Sequence, residues 1–266
     1  MIYQQRIERG FALKEERIHQ IHELLKDRMR ISLDELCEIF NVSKNTIRRD
    51  IAELEEQGII RKIYGGIVLE ESNIKSLEPF SDREIRHINE KQKIAAVAAA
   101  SVKEGDVIYI DSGTTTMHMI PHLADKQFLT IVTASVYVLE IASRYSNLNV
   151  IATGGTLQAP IKAFVGPTVL NCIKGLNFSK IFLAATGISL EHGATNASPL
   201  ECEIKQCLVQ KPCSKYLLVD SSKFDVASLM TYSDLKDIDC IVTDEHPPEK
   251  YLKHFNKNDV GIIVAN

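Results

Sequence analysis

At the N-terminal end of the chain the apolar positions change period from one short segment to the next. Between residues 13 and 28 they fall at Ile18, Ile21, Leu24 and Leu25, the three-and-four spacing of a helix with one face on a core. Ser32, with Glu35 three residues on, has the form of a capping box. It predicts a short second helix through Phe40, with Leu33, Leu36, Ile39 and Phe40 on the apolar face. Asn41-Val42 makes a tight turn, and Ser43 is placed to cap a third helix running to about Gln57, where Gly58 stops it. Beyond it, residues 59–64 and 67–69 are β-branched runs on either side of Gly65-Gly66, the pattern of a hairpin.

After residue 69 the periodicity lapses as far as Pro79. Residues 70–80 are therefore expected to link a domain of residues 1–69 to one of residues 81–266. One long helix is predicted over 81–102 from Ile85, Ile88, Ile94, Val97 and Ala98. Short apolar runs then recur at 107–110, 129–132, 150–152, 181–184, 216–219, 241–242 and 260–264. Most are separated by stretches that suit helices, such as 135–144, 199–210 and 248–255. Near-continuous apolar strands alternating with helices predict a Rossmann-like α/β domain, a mainly parallel sheet covered on both faces.

The third helix sorts its side chains by face. Ile47, Ile51 and Leu54 share the core stripe, Asn45, Arg49 and Ala52 fall opposite, and Lys44, Thr46 and Arg48 lie on the flanks. An exposed amide and guanidinium near a helix N-terminus can each make two hydrogen bonds to a base edge in a major groove, Asn to adenine and Arg to guanine. Ser43, Lys44, Thr46 and Arg48 are expected at phosphates, with Arg61, Lys62, Tyr64, Gly65 and Gly66 forming a wing along the backbone. Residues 13–69 thus read as a winged helix-turn-helix. A three-helix protein-interaction module is the alternative, and the capped helices, segregated polar face and Gly-Gly hairpin together favour DNA.

In the larger domain, ligands are expected beyond the carboxyl ends of the strands. The first strand runs into Asp111-Ser112-Gly113-Thr114-Thr115-Thr116, where a close glycine turn, helix-start N–H groups and hydroxyls suit an anion. The P-loop spacing is absent. Other strand ends carry Gly154-Gly155, Gly187 and Lys223. Glycines, hydroxyls and a cation converging on one sheet edge suit a phosphorylated sugar or polyol.

Composition changes this picture little. The 266 residues are 45% hydrophobic and 25% charged, as in globular chains, with room for two domains. The net charge of −4 does not advertise nucleic acid, but a regulator needs only a local basic face. No apolar run of about 18 residues predicts a membrane span, and residues 1–6 lack a secretory pattern, so a cytoplasmic protein is expected. Cys37, Cys172, Cys202, Cys207, Cys213 and Cys240 form no C-x-x-C pair, so buried reduced thiols are expected, with no metal site and no cofactor.

Asn41-Val42-Ser43, Thr46-Ile47-Arg48-Arg49-Asp50, Leu54-Glu55, Gly58 and Arg61 with Gly65-Gly66 resemble the N-terminal signature of DeoR-type bacterial transcriptional regulators. The resemblance implies that the third helix is the recognition helix. It extends over the rest of the chain, which is similar to the family's sensor domain, a fold shared with ribose-5-phosphate isomerase. Arg83, Asn89-Glu90-Lys91 and Asp220-Ser221-Ser222-Lys223-Phe224 match family segments, and the loop at 111–115 matches the one implied to hold phosphate. Glu201, Glu203 and Lys205 lie on a helix implied to face the ligand, with either glutamate eligible. Two departures, Ala134-Ser135 where the family has Asn after Thr133, and Ser179 in place of Asp, are expected to bear on ligand choice.

An isomerase is the other function this fold allows. The isomerase's strand end is rich in carboxylates, whereas Ala185-Thr186-Gly187-Ile188-Ser189 has none, so no catalytic residue is expected. The reading that results is a homo-oligomeric repressor, dimer or tetramer, of a carbohydrate operon. It would bind double-stranded operator DNA under the control of a phosphorylated sugar, with its recognition helices about 34–36 Å apart.

Overall fold

The computed structural model describes residues 14, 16–18, 20–21, 23–25, 28, 30–56, 60–69, 74–75 and 78–265. They form two compact units, divided between Ser72 and Asn73.

In the first unit the described residues between 14 and 28 are helical, followed by β1 (Arg30–Ser32), α1 (Leu33–Phe40), α2 (Lys44–Glu56), β2 (Ile60–Ile63) and β3 (Gly66–Leu69). Ser32 caps α1, its hydroxyl accepting from the Glu35 N–H at 3.1 Å. Asn41 ends α1 in the left-handed region at φ 49°, a conformation Asn tolerates better than most residues. Ser43 caps α2 by accepting from Thr46 N–H at 3.2 Å. Ile21, Leu25, Ile31, Leu36, Ile47, Ile51, Leu54, Ile60 and Ile67 pack into one core. Ile39, assigned by spacing to the apolar face, is instead 45% exposed. The hairpin gains an edge that its pattern does not reveal: β1 pairs antiparallel with β3, giving the order β1-β3-β2.

The second unit opens with β4 (Ile74–Lys75), α3 (Phe80–Glu84) and α4 (Ile88–Ala100). Its main sheet is built from β5 (Val107–Ile110), β6 (Thr130–Thr133), β7 (Asn149–Ala152), β10 (Lys180–Ala184), β13 (Ser214–Leu218), β16 (Cys240–Thr243) and β17 (Gly261–Val264). Between these lie α5 (Val136–Ala142), β8 (Thr156–Gln158), β9 (Ala163–Val165), α6 (Pro167–Lys174), β11 (Gly187–Ser189), β12 (Gly193–Asn196), α7 (Pro199–Val209), β14 (Ala227–Ser228), β15 (Met230–Ser233) and α8 (Glu249–Lys257). All seven strands of the main sheet are parallel, in the order β17-β16-β13-β10-β5-β6-β7.

Alternate residues of each strand enter different cores. Tyr109, Val132, Ile181, Leu183 and Leu217 face α6, α7 and α8, while Ile108, Ile110, Ile131, Phe182 and Leu218 face α4 and α5. The period of two is what a sheet buried on both faces demands. Strand order runs outward in both directions from the β5–β10 pair, and a crevice opens at such a switch point.

Three expectations change. The stretch 70–80 is not wholly a linker: Ile74–Lys75 pairs with Ala227–Ser228, and the Phe80 ring is buried and stacked on Tyr137 at 4.5 Å. The helix predicted over 81–102 is two helices, broken at His87, which sits at φ 52°. The apolar spacing continues across the break, so pattern alone could not reveal it. The segment after Thr115 is a 3-10 helix, Thr116–Leu123, and the antiparallel sheet β11-β12-β15 arises from runs too short and glycine-rich to read as strands.

Candidate functional site

On α2, Ile47, Ile51 and Leu54 are buried while Lys44, Asn45, Arg48, Arg49 and Ala52 stand in solvent. The polar face is therefore presented by a helix whose other face is locked in the core. Asp50 anchors it: buried, it accepts two hydrogen bonds from Arg17, at 2.6 and 3.1 Å. A bidentate carboxylate–guanidinium pair fixes orientation as well as distance.

Other polar residues here are already engaged. Ser43 and Thr46 share a hydroxyl–hydroxyl bond of 3.0 Å, Lys44 pairs with Asp34, and Lys62 pairs with Glu55. Arg61 and Tyr64 are exposed on the hairpin, Tyr64 completely. Gly65 turns the chain at φ 78° with open space around it. Gly66, expected on the wing's surface, is buried: a Cβ there would sit 2.5 Å from the Ile31 carbonyl oxygen, so it serves the β1–β3 contact.

In the second unit a cavity of about 130 Å³ opens at the switch point. The ends of β5 and β10 approach so closely there that a Cβ on Gly113 would lie 2.3 Å from the Ala184 Cβ. It is lined by Gly113, Thr114 and Thr115 beyond β5 and by Arg83, Arg86, His87 and Lys91 from α3, α4 and the turn between them. Ser222, Lys223, Asn196, Glu201 and Lys205 complete the polar lining.

Behind the surface runs a buried network. Lys205 Nζ contacts Asp111 at 2.9 Å and donates to the Ala184 carbonyl at 2.6 Å and to Asn196 Oδ1 at 3.3 Å. An ammonium has three donors, so this lysine is occupied by the protein itself. Asp111 also accepts from the Ala184 N–H at 3.0 Å. Glu201 accepts from Ser112 Oγ at 2.8 Å and from Asn196 Nδ2 at 3.0 Å, which aims its carboxylate at the cavity floor. Glu203 is exposed, so Glu201 is the glutamate that faces the cavity.

The cationic wall differs in kind. Lys91 donates to the Arg83 carbonyl, and its pKa falls from 10.5 to about 8, first through burial and then through repulsion by Lys223, with Asp220 pulling the other way. Asp220 is buried; its Oδ1 accepts from the Ser222 N–H at 3.1 Å, while Oδ2 has no hydrogen-bond partner. Burial is the larger cause, and the neighbouring cations Lys223, Arg83 and Arg86 add to it, so an anion among them would favour the charged lysine.

Of the residues assigned to a ligand from sequence, Gly113, Thr114, Thr115, Glu201, Lys205 and Lys223 line the cavity. Asp111 and Ser112 act from behind it, and Thr116 turns its hydroxyl back onto the Asp111 and Gly113 carbonyls at 2.8 and 3.0 Å. Gly154, Gly155 and Gly187 do not line it. Gly155 packs on Val165 and Val169, and Gly187 packs on Val226, where side chains would collide. Neither departure from the family pattern lines it: Ser135 caps α5, and Ser179 bonds Val107 at the opposite end of the sheet. Arg86, His87 and Asn196 were missed. The consecutive Arg86-His87 before a helix was the available signal, and Asn196 had none.

Cys202 is buried and its thiol pushed up by that burial, whereas the other five cysteines are only half-buried; all six are free. Among the described residues no His, Cys, Asp or Glu cluster could hold a metal ion, and no helix is long and apolar enough to cross a membrane.

A winged helix-turn-helix followed by an α/β unit with a polar crevice defines a DNA-binding regulator that carries a second, sensor-like domain. The DeoR-like helix-turn-helix domain model matches residues 17–73, and the DeoR C terminal sensor domain model matches residues 86–245. The chain belongs to the DeoR family of transcriptional regulators. It is 40% identical over 249 residues to the HTH-type transcriptional regulator IolR of Bacillus subtilis (strain 168), covering 94% of this chain and 98% of that protein. Over 250 residues it is 33% identical to the HTH-type transcriptional regulator GolR of Listeria innocua, with 94% and 98% covered. It is 30% identical over 252 residues to the HTH-type transcriptional repressor GlcR of Bacillus subtilis (strain 168), with 95% and 96% covered. Among solved structures, ribose 5-phosphate isomerase A of Methanocaldococcus jannaschii is similar at 17% identity and a TM-score of 0.37, over 50% of this chain and 53% of that one.

Proposed function

We propose that this protein is a cytoplasmic repressor of a carbohydrate-metabolism operon whose affinity for operator DNA is set by a phosphorylated sugar in the cavity of the second unit. The observation that carries the ligand class is the lining of the cavity: Arg83, Arg86, Lys91 and Lys223, cations close enough to feel one another, share it with Thr114, Thr115, Glu201 and Asn196. Cations and a hydroxyl-rich loop suit a phosphate, and a held carboxylate and amide suit sugar hydroxyls. A relative 31% identical, named as a lactose phosphotransferase system repressor of Staphylococcus epidermidis, supports the carbohydrate operon.

Asn45 and Arg49 read base edges in this proposal, and Lys44, Arg48, Arg61 and Lys62 position the protein on phosphates. The protein acts as a homo-oligomer, so that two recognition helices meet successive major grooves. The cavity binds without turning over its ligand. Ala184-Ala185-Thr186 brings no carboxylate to the strand end, and both Glu201 oxygens are engaged as acceptors by Ser112 and Asn196.

A thermal-shift screen of phosphosugars, with operator binding measured at each hit, tests this directly. A phosphorylated sugar should stabilise the protein and change its DNA affinity, and Lys223→Ala or Thr115→Ala should weaken both effects while sparing ligand-free DNA binding. An undiminished response in both variants places the ligand elsewhere, and turnover of ribose 5-phosphate defeats the sensor reading.

A further inference from the structure

Glu78, near the start of the second unit, lines the cavity and pairs with Arg86 at 2.9 Å. We propose that Glu78 is a built-in competitor of the ligand: it holds Arg86 when the cavity is empty, and an incoming phosphate takes Arg86 over and releases the segment around Glu78. This rests on the reading of the cavity as an anion site, and adds how occupancy reaches the chain leading to the DNA-binding unit.

Besides the bond from the Arg83 N–H to the Pro79 carbonyl at 3.3 Å, three contacts among the described residues hold the segment upstream of Phe80, and two of them come from cavity residues. Arg86 Nη1 donates to the Glu78 carboxylate, and Arg83 Nε donates to the Glu78 carbonyl at 3.2 Å. The third is the two-residue pairing of β4 with β14, which begins four residues beyond Lys223, itself in the cavity wall. At Phe80 the hold becomes firm, through the buried ring and a bond from its N–H to the Pro160 carbonyl at 3.1 Å. Release therefore concerns the residues before Phe80, not the core behind it.

The strengths are ordered as a switch requires. The Glu78 and Arg86 side chains are 38% and 58% exposed, so water screens their pair and its strength is small. A phosphate monoester offers three acceptor oxygens and nearly two charges to the same guanidinium, and meets Arg83, Lys91 and Lys223 as well. Ligand shifts an equilibrium only through a difference in what it meets in the two states, and an Arg86 already paired in one of them supplies that difference.

The test uses the full-length protein titrated with inorganic phosphate at constant ionic strength, comparing wild type, Glu78→Gln and the control Asp82→Asn. Removing the competitor should tighten phosphate binding about three- to fivefold in Glu78→Gln, the scale of an exposed ion pair, with no change in Asp82→Asn. In wild type, phosphate should speed amide hydrogen exchange in residues 74–79, and Glu78→Gln should show that faster exchange without phosphate. Equal phosphate affinity in wild type and Glu78→Gln, with exchange unaffected by phosphate, overturns the competition while leaving the anion site standing. No phosphate binding in any of the three proteins overturns both.

Discussion

The polar residues of α2 stand in water above an apolar core, whereas those of the cavity stand within the protein and are largely satisfied by one another. Asn45, Arg48 and Arg49 are exposed and owe their direction to Ile47, Ile51 and Leu54 beneath them. Asp111, Glu201 and Lys205 are all but excluded from water and owe their direction to hydrogen bonds from three separate segments. The contrast teaches how each region tolerates change. An exposed polar side chain can be altered without cost to the fold, because it is simply hydrated. A buried network cannot, since a charge stripped of its partner has no water to turn to.

The largest effect should come from breaking that network. Asp111→Ala leaves the Lys205 ammonium buried beside two neutral acceptors, and should destabilise the second unit by about 3–5 kcal/mol in urea denaturation. A loss under about 1 kcal/mol would show that water reaches this lysine and that the contrast is overstated. Asp50→Ala should cost less, about 1.5–3 kcal/mol, because the Arg17 side chain it abandons is 17% exposed and partly rehydrates. Thermal unfolding of the first unit measures it, and a cost equal to that of Asp111→Ala would erase the distinction.

Arg49→Ala should leave folding within about 0.5 kcal/mol of wild type and weaken cognate DNA binding by about 1–3 kcal/mol. Equal loss on cognate and random DNA would make Arg49 a phosphate contact. The mildest effect is a pH dependence. Lys91 titrates at about 8 when folded against 10.5 ordinarily, so between these values the unfolded chain binds more protons and this group's contribution to stability rises with pH. Lys91→Met should remove that rise in denaturation measured from pH 7.5 to 10. Phosphate, by raising the pKa of Lys91, should bind more weakly as pH climbs past about 8, and a flat profile would separate Lys91 from the anion.

What could be read from sequence follows the same line. The α2 faces were legible because one helix, with one period, determines them. In the cavity, the loop at 111–115 and Lys223 could be found as strand ends, but Gly154, Gly155 and Gly187 looked alike from sequence, and Gly155 and Gly187 are packing glycines while Gly154 turns the chain at φ 67°. A glycine that admits a ligand and one that admits a neighbouring chain have the same signature, since both mark a missing Cβ. Lys205 lines the cavity, yet its donors turn to Asp111, Ala184 and Asn196, residues up to 94 positions away in the chain.

The amino-acid order alone, then, determined the helix-turn-helix, its hairpin, the parallel sheet and the exposed polar face of α2, because each depends on periodicity and capping within a few residues. Only the tertiary structure decided that the helix predicted over 81–102 breaks at His87, that Arg86 and Glu78 meet at the cavity, and that Glu201 rather than Glu203 faces it. Those outcomes depend on which strand ends lie side by side at the β5–β10 switch point. That is set by packing the whole sheet between two layers of helices, a long-range energy that no local pattern carries.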